Sequence, residues 1–109
     1  VQMSVLSLDA LAQAGAAQFD VIINATSASL QQESVMLANA VFAPNCLAYD
    51  MMYGDQATPF MRMAQAAGAQ TADGLGMLVE QAAEAFYLWR GVRPDTALVL
   101  TQLRGACAR

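Results

Sequence analysis

Val21, Ile22 and Ile23 form an unbroken β-branched run within Phe19-Asp20-Val21-Ile22-Ile23-Asn24-Ala25. A strand without polar alternation is apolar on both faces, which is the pattern of a buried strand in a parallel sheet. Parallel strands need helices on their faces, so this run restricts the chain to α/β architectures. It stops at Asn24-Ala25-Thr26-Ser27-Ala28-Ser29, a cluster of small polar residues at the strand's carboxyl end.

The flanking segments repeat the alternation. Gln2 to Leu6 alternates weakly and predicts a short strand, and Ser7 caps a helix over roughly Leu8 to Ala14, ended by Gly15. A short helix is expected around Val35 to Val41, closed by Pro44-Asn45. Cys46 to Met51 reads as a second buried strand, and Tyr53 to Ala57 as a loop. Thr58-Pro59 opens a helix, with Thr as the cap and Pro at the first helical position. Phe60, Met63, Ala64 and Ala67 share one face of it, and Gly68 closes it as a left-handed cap. A brief extended piece, Ala69 to Thr71, leads to Asp73. A long apolar helix then runs to Arg90 and is closed by Gly91, and a last helix covers about Asp95 to Arg104. The expected order is β-α-β-(α)-β-α-β-α-α, a parallel sheet covered on both faces.

Composition narrows the chemistry. Apolar residues make up 57% of the 109 residues and charged residues 13%, yet no apolar run reaches the length of a membrane span. The surplus implies a densely buried core or a surface that something else covers. The basic residues are Arg62, Arg90, Arg93, Arg104 and Arg109, without a cluster or interleaved aromatics, which argues against nucleic-acid binding. Lysine and histidine are absent, so the commonest general base, the Schiff-base residue and the usual zinc nitrogen ligand are missing together. Cys46 and Cys107 form no CxxC pair and read as free thiols. Nothing reads as a signal or transit segment, and a cytoplasmic setting is expected. A chain that opens on Val1 with a strand-like segment is expected to be a piece of something longer.

In open parallel sheets ligands bind beyond the carboxyl ends of the strands. Three segments converge on that edge: Asn24-Ala25-Thr26-Ser27, Asp50-Met51-Met52-Tyr53 and Asp73-Gly74-Leu75-Gly76. Each has a plain structural reading beside the functional one. Asn24 to Ser27 can form a simple turn, and Met51 and Met52 can fill core. Two glycines at a helix mouth weaken the helix, so they need a reason: close approach of another backbone, or of a ligand. Gln81 lies one turn inside that helix, and if buried it needs backbone or ligand partners. Glu80 and Glu84 mark a solvated side rather than a catalytic pair. The G-x-G-x-x-G fingerprint expected after the first strand of a dinucleotide domain is missing.

Taken together these segments resemble shikimate dehydrogenase. The matching blocks are Asp20-Val21-Ile22-Ile23-Asn24-Ala25-Thr26-Ser27, then Tyr49-Asp50-Met51-Met52-Tyr53 with Thr58-Pro59-Phe60. The third is Asp73-Gly74-Leu75-Gly76-Met77-Leu78 with Gln81, Ala82, Phe86, Trp89 and Gly91. They run in order from about Asp20 to Leu103. One departure is Ala28-Ser29-Leu30, where the family often has a small residue followed by Gly-Met.

The resemblance implies the carboxyl-terminal portion of that enzyme: the second half of a Rossmann-like NAD(P)-binding domain. Residues 1–72 would form βα units and residues 73–109 terminal helices that pack back toward a substrate domain. It implies NADP as cofactor, near Asn24, Ala25, Thr26, Ser27, Met51 and Gly74. It implies shikimate or 3-dehydroshikimate as substrate, with Tyr53 at the junction of nicotinamide and substrate and Gln81 hydrogen-bonded to the substrate. The family's catalytic Lys and Asp, its Gly-rich phosphate loop and the residues that select the 2′-phosphate would precede Val1. No catalytic or metal-binding residue is therefore assigned in this chain. The chain alone is expected to lack turnover, and its cut sheet to promote homo-oligomerisation or association through exposed apolar surface. The alternatives are a non-catalytic α/β association module, and a quinate/shikimate dehydrogenase that uses NAD.

Overall fold

The computed structural model describes residues 2–13, 18–26 and 37–107. Eight elements follow in order: helix α1 (Leu8–Gln13), strand β1 (Phe19–Asn24), a 3-10 turn (Asn39–Val41), strand β2 (Phe42–Asp50), helix α2 (Pro59–Ala66), strand β3 (Gln70–Ala72), helix α3 (Leu75–Arg90) and helix α4 (Thr96–Cys107). The strands form one parallel sheet in the order β1-β2-β3. The fold is α/β, as the β-branched run implied, and Rossmann-like, as the resemblance implied; the run itself is not buried on both faces, since Val21 and Ile23 are 55% and 60% exposed.

The core lies between α2 and the sheet. Val41, Phe42, Cys46, Ala48, Phe60, Ala64 and Ala69 are buried together, with Ile22, Leu37, Met63 and Ala67 packed against them. Thr58 caps α2 as expected: its hydroxyl accepts from the Met61 amide at 3.2 Å, and Pro59 takes the first helical position. Gly68 follows the helix at φ +89°, and Gly91 ends α3 at φ +71°, both left-handed positions that glycine adopts without a Cβ penalty.

Three further expectations are corrected. Gln2 to Leu6 is not a strand: Met3 and Val5 are almost fully exposed, and no strand among the described residues pairs with the segment. A strand needs a ladder partner, and weak alternation without one does not hold an extended backbone in a sheet. The helix expected at Val35 to Val41 appears only as the 3-10 turn over Asn39–Val41, and residues 35 and 36 lie outside the described residues. Pro44-Asn45 does not close a helix. β2 begins at Phe42 and contains both residues, whereas a strand over Cys46 to Met51 was expected. Between Phe19↔Phe42 and Val21↔Leu47 the register advances two residues on β1 and five on β2. The extra residues form an irregularity that accommodates Pro44, which has no amide for the ladder, and Asn45 at φ +63°. The closing glycine expected for the first helix, Gly15, and the site candidate Ser27 lie outside the described residues.

Candidate functional site

The carboxyl edge of the sheet is built around Asp50, which is 0% exposed. Asn24 and Asp50 are partners in the β1–β2 ladder, so both strands end level with one another. One Asp50 oxygen accepts from the Thr58 hydroxyl at 2.5 Å and from the Asn24 amide nitrogen at 3.4 Å; the other accepts from the Met52 backbone at 3.0 Å. Thr58 therefore serves twice, as cap of α2 and as donor to the buried carboxylate. A buried carboxylate satisfied by several donors is held in one geometry, because losing a partner leaves a desolvated charge. Asp50 thus fixes the end of β1, the start of the following loop and the mouth of α2 relative to one another.

The first segment turns away from this anchor. The Asn24 side-chain oxygen accepts from both the backbone amide and the hydroxyl of Thr26, at 3.1 and 2.7 Å. This is an Asx turn, the plain reading given to Asn24 to Ser27. The turn leaves Ala25 and Thr26 exposed at the sheet edge. Met51, whose amide donates to the Asn24 carbonyl at 3.1 Å, is exposed rather than core, and so is Tyr53.

Gly74 joins the third segment to the second. Its amide donates to the Met52 carbonyl at 2.9 Å, and a Cβ built on it would lie 2.0 Å from the Met51 carbonyl oxygen. The approaching partner that excludes a side chain is backbone. Gly74 has φ −81°, so steric closeness and not conformational freedom demands glycine here. Gly76 differs: a Cβ there would meet nothing within 4 Å. Just before Gly74, an Asp73 oxygen accepts from the Leu75 amide at 3.2 Å, and the carboxylate receives both arms of the Arg104 guanidinium at 2.6 and 2.7 Å. That hydrogen-bonded guanidinium holds the Asp73 carboxyl below its ordinary value of 3.8, against the opposing effect of burial.

Gln81 stands on the exposed side of α3, with its amide nitrogen donating to the Leu78 carbonyl at 3.0 Å. Its partner here is thus its own helix. Glu80 is exposed, and Glu84 forms an ion pair with Arg93, whose guanidinium sits 5.4 Å from the Tyr87 ring centroid. Both carboxylates belong to the solvated side, as expected. Asn24, Ala25, Thr26, Met51, Tyr53 and Gly74 come together at one sheet edge, with Gln81 about two turns along the helix that starts there. The sequence reading missed two members of the arrangement: Asp50 as its buried anchor, and Arg104 as a partner of Asp73. An acidic residue closing an apolar strand, eight positions before a Thr-Pro cap, was the available signal for the first. Nothing local marked the second, which joins residues 31 apart. Among the described residues no group of His, Cys, Asp or Glu is placed to hold a metal.

Residues 74–104 match the family model for the shikimate 5′-dehydrogenase C-terminal domain. The chain is 56% identical over 103 residues to the shikimate dehydrogenase (NADP(+)) of Dechloromonas aromatica strain RCB, covering 94% of this chain and 38% of that protein. It is 66% identical over 87 residues to that of Aromatoleum aromaticum, covering 79% of this chain and 31% of the relative. The chain matches the carboxyl-terminal portion of shikimate dehydrogenases. Its fold agrees: the solved shikimate 5-dehydrogenase of Thermus thermophilus, in complex with NADP(H) and shikimate, matches with a TM-score of 0.69 at 31% identity. That match covers 93% of this chain and 37% of the solved one. The chain spans about a third of the length of the shikimate dehydrogenases it matches and corresponds to their carboxyl-terminal portion. No helix among the described residues is long and apolar enough to cross a membrane.

Proposed function

We propose that this segment forms one wall of the active site of an NADP-dependent shikimate dehydrogenase, which reduces 3-dehydroshikimate to shikimate. The observation that carries the reading is the convergence of three strand-end segments on one edge, locked together by Asp50 and by the Gly74–Met52 hydrogen bond. Support for a dinucleotide at this edge comes from its small side chains, the exposed Met51 thioether and the open space beside Gly76. Asn24, Ala25 and Thr26 line its path, Met51 packs against the nicotinamide end, and the Gly74 backbone runs beside it. The bound nicotinamide supplies the hydride. Tyr53 lies where substrate and cofactor meet. Gln81 exchanges its bond to Leu78 for a substrate hydroxyl, a swap that its exposed position permits.

This chain holds and orients; it contains no lysine or histidine to move the proton. The isolated 109 residues are accordingly inactive, and turnover belongs to the full-length enzyme. Mixed apolar exposure, including Trp89, favours association with the rest of the enzyme or with a second copy. The buried free thiol of Cys46 is at home in a reducing cytoplasm. The test is NADP⁺-dependent oxidation of shikimate by the full-length enzyme and by the isolated chain. Gln81→Ala in the full-length enzyme should raise KM for shikimate about tenfold with little change in KM for NADP⁺. An unchanged shikimate KM removes Gln81 from the substrate site, and turnover by the isolated chain removes the need for the upstream base.

A further inference from the structure

The bidentate contact between Asp73 and Arg104 joins the carboxyl-terminal helix to the residue preceding Gly74. The Asp73 side chain is only 9% exposed, and Arg104 comes from the last turn of α4. Asp73 receives both guanidinium arms while its Oδ1 also accepts from the Leu75 amide. Gly74 is gripped from the other side by the Met52 carbonyl and the close Met51 backbone. The segment is thus clamped between α4 and the β2–α2 loop. A planar guanidinium meeting a carboxylate with two parallel bonds fixes orientation as well as distance, which a lysine ammonium does not.

We infer that Arg104 and Asp73 are positioning residues for hydride transfer: α4, through this pair, sets where the Gly74 backbone stands against the nicotinamide. The inference rests on the reading that Gly74 faces the cofactor. Neither residue touches the reacting atoms; both act through the Gly74 backbone. A small misplacement of a cofactor-facing wall lowers the reaction rate even where folding is intact.

The experiment is steady-state kinetics of the full-length enzyme, with active sites counted by titration and folding followed by thermal melting. Arg104→Met should lower kcat about tenfold and raise KM for NADP⁺ several-fold, with KM for shikimate nearly unchanged. Arg104→Lys should recover only part of the loss, since one point contact replaces the fork. Asp73→Asn gives the same pattern by another route, and the double variant should be no worse than the poorer single one. If Arg104→Met folds poorly, Arg104→Lys and Asp73→Asn carry the test alone. A drop in melting temperature with unchanged kcat per active site and unchanged KM values overturns the inference and leaves a purely structural ion pair. Failure of the parent reading looks different: the wild-type enzyme does not oxidise shikimate with NADP⁺, or Gln81→Ala leaves the shikimate KM untouched.

Discussion

α2 and α3 are both apolar helices closed near a left-handed glycine, yet they finish their packing differently. In α2 the apolar residues form one stripe: Phe60 and Ala64 are buried, and Met63 and Ala67 lie against the same core. In α3 only Leu75, Val79 and Ala83 are buried, one turn apart along a single line. Around them Met77, Phe86, Tyr87, Leu88 and Trp89 are exposed, Trp89 at 80%. α4 covers part of the remainder, leaving a groove of about 370 Å³ between Leu78, Ala82, Phe86, Val99 and Leu103. A helix that is apolar on most sides is normally buried on most sides. α2 therefore has its packing surface within these residues, whereas α3 carries apolar surface suited to more protein than α4 provides.

The largest effect that can break this comparison comes from truncating one aromatic on each helix. Phe60 is 2% exposed in the middle of the core, so Phe60→Ala should destabilise the chain by about 3–5 kcal/mol in urea unfolding. Trp89→Ala, at the exposed end of α3, should cost less than about 0.5 kcal/mol in the same chain. Equal costs would mean that α3 is packed as completely as α2. A Trp89 cost that rises only in the full-length protein would locate the missing cover.

The two glycines of the α3 mouth sharpen the comparison at a smaller scale. Gly74→Ala places a methyl 2.0 Å from the Met51 carbonyl oxygen, a backbone atom with no flexible end to yield. It should destabilise by about 1–3 kcal/mol and shift the Met51–Gly74 contact, read by thermal melting and by amide exchange at Gly74. Gly76→Ala meets no neighbour inside a helix and should stabilise by about 0.5–1 kcal/mol. Lost activity in a stabilised Gly76→Ala enzyme would mark that open space as ligand space.

These contrasts also measure how far the residues alone could be read. Elements set by local chemistry were legible: the Thr58-Pro59 cap, the glycine ends at Gly68 and Gly91, and the strand at Val21 to Ile23, though not its exposure. The meeting of three segments at one sheet edge followed from parallel topology, and the glycine mouth already narrowed to two causes, backbone or ligand. The backbone cause at Gly74 became visible only in the fold, because Met51 is 23 positions away and comes close only once β2 and α3 are in place. Pro44-Asn45 misled for a related reason. Both are good helix closers in isolation, and only the pairing of β2 with β1 makes them a strand irregularity. The weak alternation of Gln2 to Leu6 was overread because a strand is decided by its neighbour as much as by its own pattern.

The smallest effect concerns how each helix is anchored at its start. α2 is tied through Thr58 to Asp50, a fully buried carboxylate; α3 is tied through Asp73 to Arg104, which is half exposed. A partly solvated ion pair contributes little, so Asp73→Asn should cost under about 1 kcal/mol near neutral pH. Its pH dependence identifies it. Arg104 lowers the folded-state value of Asp73 below 3.8, so the stabilisation is present above that ordinary value and is lost as pH falls through the lower folded one. The stability gap between wild type and Asp73→Asn should therefore persist from neutral pH down to about pH 5 and close progressively below about pH 4. It should also shrink in about 1 M salt, where exposed charges are screened over a few ångströms. A gap that is constant across this range and insensitive to salt would show that the start of α3 is held by the Met52 and Met51 backbone alone, with α4 contributing nothing to it.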